Sequence, residues 1–287
     1  MNAPGRVAGK VALITGAAIG QGRCHAVRLA QEGADIVAID ICRPVHPDLN
    51  YRQATPTDLE DTRRLVEKTG RQCITVRADV RSLPELRTAV DDGIAAFGRI
   101  DIVCANAGAI TFHARSWEIP PHLVDLVIDV NLKGTWNTIA ATVPAMIEAK
   151  RGGSIILTSS VGGLRGHALY AHYNASKHGI VGLARSFATE LARHRIRVNT
   201  VNPGAVSSPG MGSCPDIVEL LGNDPVAMAG VTNLLPDLDT DPDTPFSPVA
   251  MLSENEISNA VLFLASDESR YVTGTTLSVD AGNANKP

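Results

Sequence analysis

The chain has 287 residues and a formal charge of −4 from 26 basic and 30 acidic side chains, enough length for one large α/β domain or two smaller ones. Without basic blocks, and with only 4% aromatic residues, it offers nothing for nucleic acid to bind. No apolar run reaches the roughly 20 residues of a membrane span, the N-terminus shows no basic-then-apolar leader, and five scattered cysteines without a Cys-x-x-Cys pair fit a reducing cytoplasm and argue against a zinc site.

Residues 10–15 read as a short apolar strand running into Thr15-Gly-Ala-Ala-Ile-Gly-Gln-Gly22, and a helical pattern follows to Glu32, stopped by Gly33. Gly16, Gly20 and Gly22, with Ile19 and Gln21 among them, permit a tight turn that brings backbone amides to a pyrophosphate at a helix N-terminus. The spacing Gly-x-x-x-Gly-x-Gly could by itself be a plain turn. The strand before it, the helix after it and a second strand, Asp35–Asp40, ending on an acid favour nucleotide binding. Asp40 lies 20 residues beyond Gly20, placed to accept hydrogen bonds from an adenosine ribose and to repel a 2′-phosphate, which selects NAD over NADP; nearby Arg43 weakens that selection.

Residues 41–57, with Pro44, Pro47 and Pro56, read as an insertion longer than such connections need. A helix over 57–69 is expected, with Thr57 as N-cap and Glu60 completing a capping box. Strand Cys73–Arg77 leads to Asp79-Val80, where a carboxylate meets the adenine amino group. A helix over 82–97 is capped by Ser82 and stopped by Gly98, and an apolar strand over 100–105 ends in Asn106-Ala107-Gly108, small residues facing a ligand. A long helix is predicted over 121–150 with Asn131 inside it, as a packing amide or a group that positions water.

A strand over 153–159 ends in Thr158-Ser159-Ser160. A helix from about Tyr173 to Ala192 sets Tyr173 and Lys177 four positions apart on one face. A phenol titrates near 10, and an adjacent ammonium favours its phenolate and lowers that value, although a lone Tyr-x-x-x-Lys ordinarily reads as two residues sharing a helix surface. A strand over 196–202 exits through Pro203-Gly204-Ala205-Val206; residues 205–252 read as a substrate lid, with seven prolines from 207 on. A helix over 253–264, with Ser253 and Glu256 as a capping box, and a strand over 276–280 complete a single doubly wound (Rossmann) parallel sheet in one α/β domain, residues 1–287.

Together, Thr15-Gly-Ala-Ala-Ile-Gly-Gln-Gly22, Asn106-Ala-Gly108, Asn131, Ser160, Tyr173-x-x-x-Lys177 and Pro203-Gly204 resemble the short-chain dehydrogenase/reductase family over nearly the whole chain. Ser160 precedes Tyr173 by 13 positions, as in that family's catalytic pair, which sets Ser159 aside; Tyr170 is followed four positions on by Asn174 and not by a lysine. The resemblance implies that Tyr173 is the general acid or base. It implies that Lys177 lowers the Tyr173 pKa and holds the nicotinamide ribose, that Ser160 bonds the reacting oxygen, and that Asn131 holds a water linking Lys177 to solvent. Ile41, Val80, Val206 and Ser208 join the cofactor set, Ser207-Ser208 standing where relatives often place a Thr near the nicotinamide amide. The loop after Asp40 and the ending Leu262-Phe-Leu-Ala-Ser-Asp-Glu-Ser-Arg-Tyr-Val-Thr-Gly274 are similar to mycofactocin-associated, carveol dehydrogenase-like members, which implies a secondary-alcohol substrate, tightly held NAD, an external redox acceptor and a homotetramer.

The reading is therefore an NAD-dependent secondary-alcohol dehydrogenase; the alternatives are a ketoreductase for a carrier-bound 3-oxoacyl thioester and a non-catalytic NAD-binding regulator. His167, His172 and His178 read as surface or packing groups and no metal is expected, while His113 and Trp117 could wall the substrate pocket.

Overall fold

The computed structural model describes residues 5–113, 115–210, 219, 223–239, 247 and 251–286. Its sheet is built from strands too apolar to face water: β1 (Val11–Thr15), β4 (Ile102–Ala105) and most of β2 (Asp35–Asp40), β5 (Gly153–Thr158) and β6 (Ile196–Pro203) are buried. Strands covered on both faces are the kind that pair parallel. With β3 (Cys73–Arg77) and β9 (Thr276–Val279) they form one parallel sheet in the order β3-β2-β1-β4-β5-β6-β9.

Alternate residues of β1 enter opposite cores. Val11 and Leu13 pack with Leu86, Ile139 and Ile180 of α3 (Leu83–Phe97), α5 (Gly134–Ala149) and α6 (Ala171–Leu191). Ala12 and Ile14 pack with Leu29, Leu59 and Ile257 of α1 (Gly20–Gln31), α2 (Pro56–Glu67) and α8 (Glu254–Ala265). The doubly wound architecture is as expected. No helix among the described residues is long and apolar enough to cross a membrane.

Several predicted boundaries move for identifiable reasons. Thr55, not Thr57, caps α2, and Asp58, not Glu60, closes the box. Pro56 takes the first helical position, where a missing N–H costs nothing, and so draws the cap one residue ahead of itself. Ser253 lies at the N-cap of α8 but makes no side-chain capping bond, since it belongs to β8 (Leu252–Ser253), which pairs with β7 (Val206–Ser207). The helix predicted over 121–150 is three pieces: α4 (Pro121–Ile128), a π-turn at Asp129–Lys133, and α5.

Residues 41–55 contain no regular element, yet the segment is packed on the body: Leu49 is buried, Val45 and Tyr51 lie against the core, and Arg52 pairs with Asp58. Of the lid, α7 (Pro225–Val231) is described, with Ala227 buried; much of 211–250, including most of the acidic, proline-rich run, lies outside the described residues.

Candidate active site

The chain turns in opposite directions after β1 and β4, and the crevice outside their carboxyl ends is where this topology binds ligands. It opens there into a cavity of about 780 Å³. The Thr15 hydroxyl ties the two strand ends, accepting from the amides of Asn106 (3.1 Å) and Ala107 (3.2 Å), while Asn106 Nδ2 donates back to Thr15 O at 3.1 Å. Gly16 and Gly20 have positive φ values of 68° and 63°, which turn the chain from β1 into the N-terminus of α1.

Every predicted site residue lines this cavity except Gly22 and Asn131. Gly22 faces inward: a Cβ there would lie 2.1 Å from Gly16 O and 2.7 Å from Asn106 Nδ2. Its role is to let α1 seat against the turn, a correction to the expected approach to pyrophosphate. Ser208 is on the wall, its Oγ 3.6 Å from where a Gly20 Cβ would stand, whereas Ser207 is exposed.

At the end of β2, Asp40 Oδ2 accepts from Ala18 N (3.1 Å) and Oδ1 from Cys42 N (3.0 Å). Burial pushes its carboxyl above the usual range, and those amides oppose the shift. Arg43, which also lines the cavity, leans on Asp79 at 3.6 Å. Arg81 also grips Asp79, through Nη2 at 2.6 Å, so this carboxylate meets the cavity already paired.

At the far end of the cavity, α6 presents Tyr173 and Lys177, and β5 runs out through Ser160. Lys177 is buried and donates from Nζ to Thr158 O at 2.8 Å, with Nζ 5.4 Å from the Tyr173 ring centre. Burial holds the Lys177 ammonium down to about 7. Burial also pushes the Tyr173 phenol above its ordinary value, and a hydrogen bond with Ser160 draws it back. Burial is the leading cause for both groups, raising the phenol of Tyr173 and lowering the ammonium of Lys177. Ser160 is fixed by its own carbonyl, which accepts from Asn202 Nδ2 at 3.0 Å, and by Gly162 N, which donates to its Oγ at 3.1 Å. Ser159 turns away, donating to Lys177 O at 2.9 Å.

Asn131 sits in the π-turn, fully buried. Its Oδ1 accepts from Ala109 N at 2.7 Å, and its Nδ2 donates to Ala109 O at 2.9 Å and Ser176 Oγ at 3.0 Å. The side chain thus locks the loop after β4 to α6, with both Nδ2 hydrogens engaged.

The substrate half of the cavity is apolar, walled by Ile110, Phe112, Tyr170, Met228, Val231 and Met251. Trp117 is 79% exposed and His113 lines a separate small cleft, so neither walls the main cavity. His167, expected at the surface or in packing, lines the cavity, stacked on Tyr170 with ring centres 5.9 Å apart and held down to about 4 by burial. His172 packs against Thr111 Oγ1 at 2.7 Å, and His178 is exposed. The tie made by the Thr15 hydroxyl escaped the sequence reading; a hydroxyl ending a buried strand was the available signal.

The family described as short chain dehydrogenase matches residues 10–216, and one described as Enoyl-(Acyl carrier protein) reductase matches residues 245–284. The (-)-trans-carveol dehydrogenase of Rhodococcus erythropolis is 43% identical over 98% of this chain and 99% of its own. The crystal structure of a carveol dehydrogenase from Mycobacterium avium in complex with NAD has a TM-score of 0.89 and 48% identity, covering 98% of this chain and 100% of that one. A short chain dehydrogenase from Mycobacterium paratuberculosis bound to NAD has a TM-score of 0.88 and 45% identity, with coverage of 98% and 100%.

A lysine held down to about 7 when folded, against about 10.4 unfolded, costs stability fully below 7 and progressively less up to the unfolded value. Lys177→Met should therefore melt above wild type in cofactor-free protein at pH 6.5, and the gap should shrink by pH 9. A gap independent of pH in differential scanning calorimetry would contradict this.

Proposed function

Because the chain belongs to the short-chain dehydrogenase/reductase family and is an NAD-dependent alcohol oxidoreductase, we propose that Tyr173, Ser160 and Lys177 carry the reaction and that its substrate is a cyclic secondary alcohol of the carveol type. The observation that carries this reading is the Tyr173–Ser160 hydrogen bond beside a buried lysine, at the end of a cavity with an apolar wall. The turn at Gly16–Gly20, free of Cβ atoms where the backbone is tightest, and the amide-held Asp40 carboxylate fit a dinucleotide without a 2′-phosphate. When bound, NAD supplies the hydride acceptor.

The chain's own groups manage the proton. Ser160 Oγ donates to the alcohol oxygen, and Tyr173 Oη, as phenolate, takes the hydroxyl proton as the carbonyl forms. A buried phenolate favours the charged form of Lys177, and a buried ammonium favours the phenolate, so the pair ionises together where neither group does alone. Asn131 acts as a positioning residue, holding the loop that floors the nicotinamide end. Free thiols at Cys24, Cys42, Cys73 and Cys104 support a reducing, cytoplasmic setting.

The insertion is proposed to cover the cofactor. Val45, Leu49 and Tyr51 line the cavity, and Tyr51 Oη accepts from Ile110 N at 3.3 Å, which carries the flap across to the substrate side. NAD is then retained between turnovers and reoxidised by an external acceptor of the mycofactocin-associated kind. A homotetramer is proposed through the outer surface of α5 and α6, where Trp136, half exposed, leans on Phe187 and Gly182 opens to solvent. Gly179 and Ala188, small residues on the same helix, are used within the chain instead: a Cβ on Gly179 would lie 2.8 Å from Leu132 Cδ1, and Ala188 is buried.

Tyr173→Phe should lose at least about 10³-fold in kcat, within the range of general acid–base contributions, while keeping its bound nucleotide; a variant retaining a tenth of the rate would refute the mechanism. Purified protein denatured and assayed should release about one NAD per chain, and replacing the insertion by a short Gly-Ser turn should make the nucleotide exchangeable. Cofactor-free protein that turns over on added NAD, unchanged by the shorter loop, would remove the retention proposal. Light scattering at micromolar concentration should give four chains per particle, and a monomer would sink the assembly.

A further inference from the structure

We propose that His46, Asp48 and His122 form a site for a borderline divalent cation of the zinc, cobalt and nickel class, latching the insertion to α4. The three residues come from two elements: His46 and Asp48 lie in the insertion, and His122 lies in the first turn of α4. One ligand atom from each falls within 4.8 Å of the others. His122 Nε2 stands 3.1 Å from Asp48 Oδ2, and His46 Nδ1 stands 3.7 Å from the same oxygen. Bonds of about 2.0–2.2 Å at tetrahedral angles set ligand atoms roughly 3.3–3.6 Å apart, so these edges bracket what the ion requires. The imidazole centres are 5.3 Å apart and the rings inclined by 33°, converging on one carboxylate.

Two imidazoles and one carboxylate match zinc-like ions, whereas calcium and magnesium ask for oxygen ligands. The partial exposure of all three residues leaves a fourth position for water. Without an ion, His46 Nδ1 accepts from Asp48 N at 3.2 Å. An ion would take that lone pair over from the Asp48 amide.

The site has a purpose in the architecture. His46 and Asp48 are sequence neighbours of Val45 and Leu49, which line the cavity. A cation on the outer side would therefore hold those two apolar side chains down over the cavity. The latching role rests on the reading that the insertion covers NAD; ion binding itself does not.

The test uses untagged holoprotein, stripped of metal by a chelator and titrated with Co²⁺ by visible absorption and with Zn²⁺ by calorimetry. Wild type should bind one ion per chain with tetrahedral Co²⁺ bands, and His122→Ala and the His46→Ala/His122→Ala pair should lose both signals. Zn²⁺ should slow NAD release in wild type and leave the double variant unaffected. No saturable binding by wild type, or binding retained by the double variant, would overturn the site. Binding lost in the variants with NAD release unchanged by Zn²⁺ in wild type would overturn the latch.

Discussion

The site depends on the knot between Thr15 and Asn106. Parallel strands β1 and β4 send their chains to opposite faces of the sheet, so the space beyond their ends has no secondary structure to fill it. One buried hydroxyl accepts two amides there, and one side-chain amide returns the bond. This fixes both loops without occupying the crevice. The glycine turn, the acid at the end of β2 and the loop running to Ala109 all take their positions from it. Gly22 lets α1 close against the same knot, which is why its missing Cβ matters although it does not line the cavity.

The opposite end of the cavity is governed by desolvation. Lys177 and Tyr173 are each buried deeply enough that carrying charge alone is unfavourable, and their shifts run in opposite directions. A pair held this way is inert until something stabilises both charges at once. Folding energy is spent on keeping an ammonium-bearing side chain dry, which leaves its protonation responsive to its surroundings.

The strands, the doubly wound order and the shared face of Tyr173 and Lys177 were legible because each follows from a short-range pattern: buried runs for the parallel strands, four-residue spacing on α6, a glycine-rich turn between strand and helix; Ser160 was singled out only by the family resemblance. The failures lie where distant contacts decide. The π-turn at Asp129–Lys133 exists so that Asn131 can reach Ala109 and Ser176, contacts that 121–150 does not advertise. Whether His167 lies at the surface or in packing is decided by the approach of α7, with Gly230 beside its ring, which buries it. Thr55 displaced Thr57 as cap by a local rule, the place proline prefers in a first turn, so that error was avoidable from sequence. Trp117 gave no warning, since an indole beside a ligand-facing loop can point either way.

Tyr51 has a consequence for how such a protein diversifies. Its ring packs with the residues that shape the alcohol pocket, while the loop that carries it runs along the nucleotide half. If the insertion covers NAD as proposed, a lineage that reshapes this residue to admit a bulkier alcohol also alters how the loop lies over the dinucleotide. Substrate range and cofactor residence are in that sense a single inherited trait, and neither drifts far without carrying the other along.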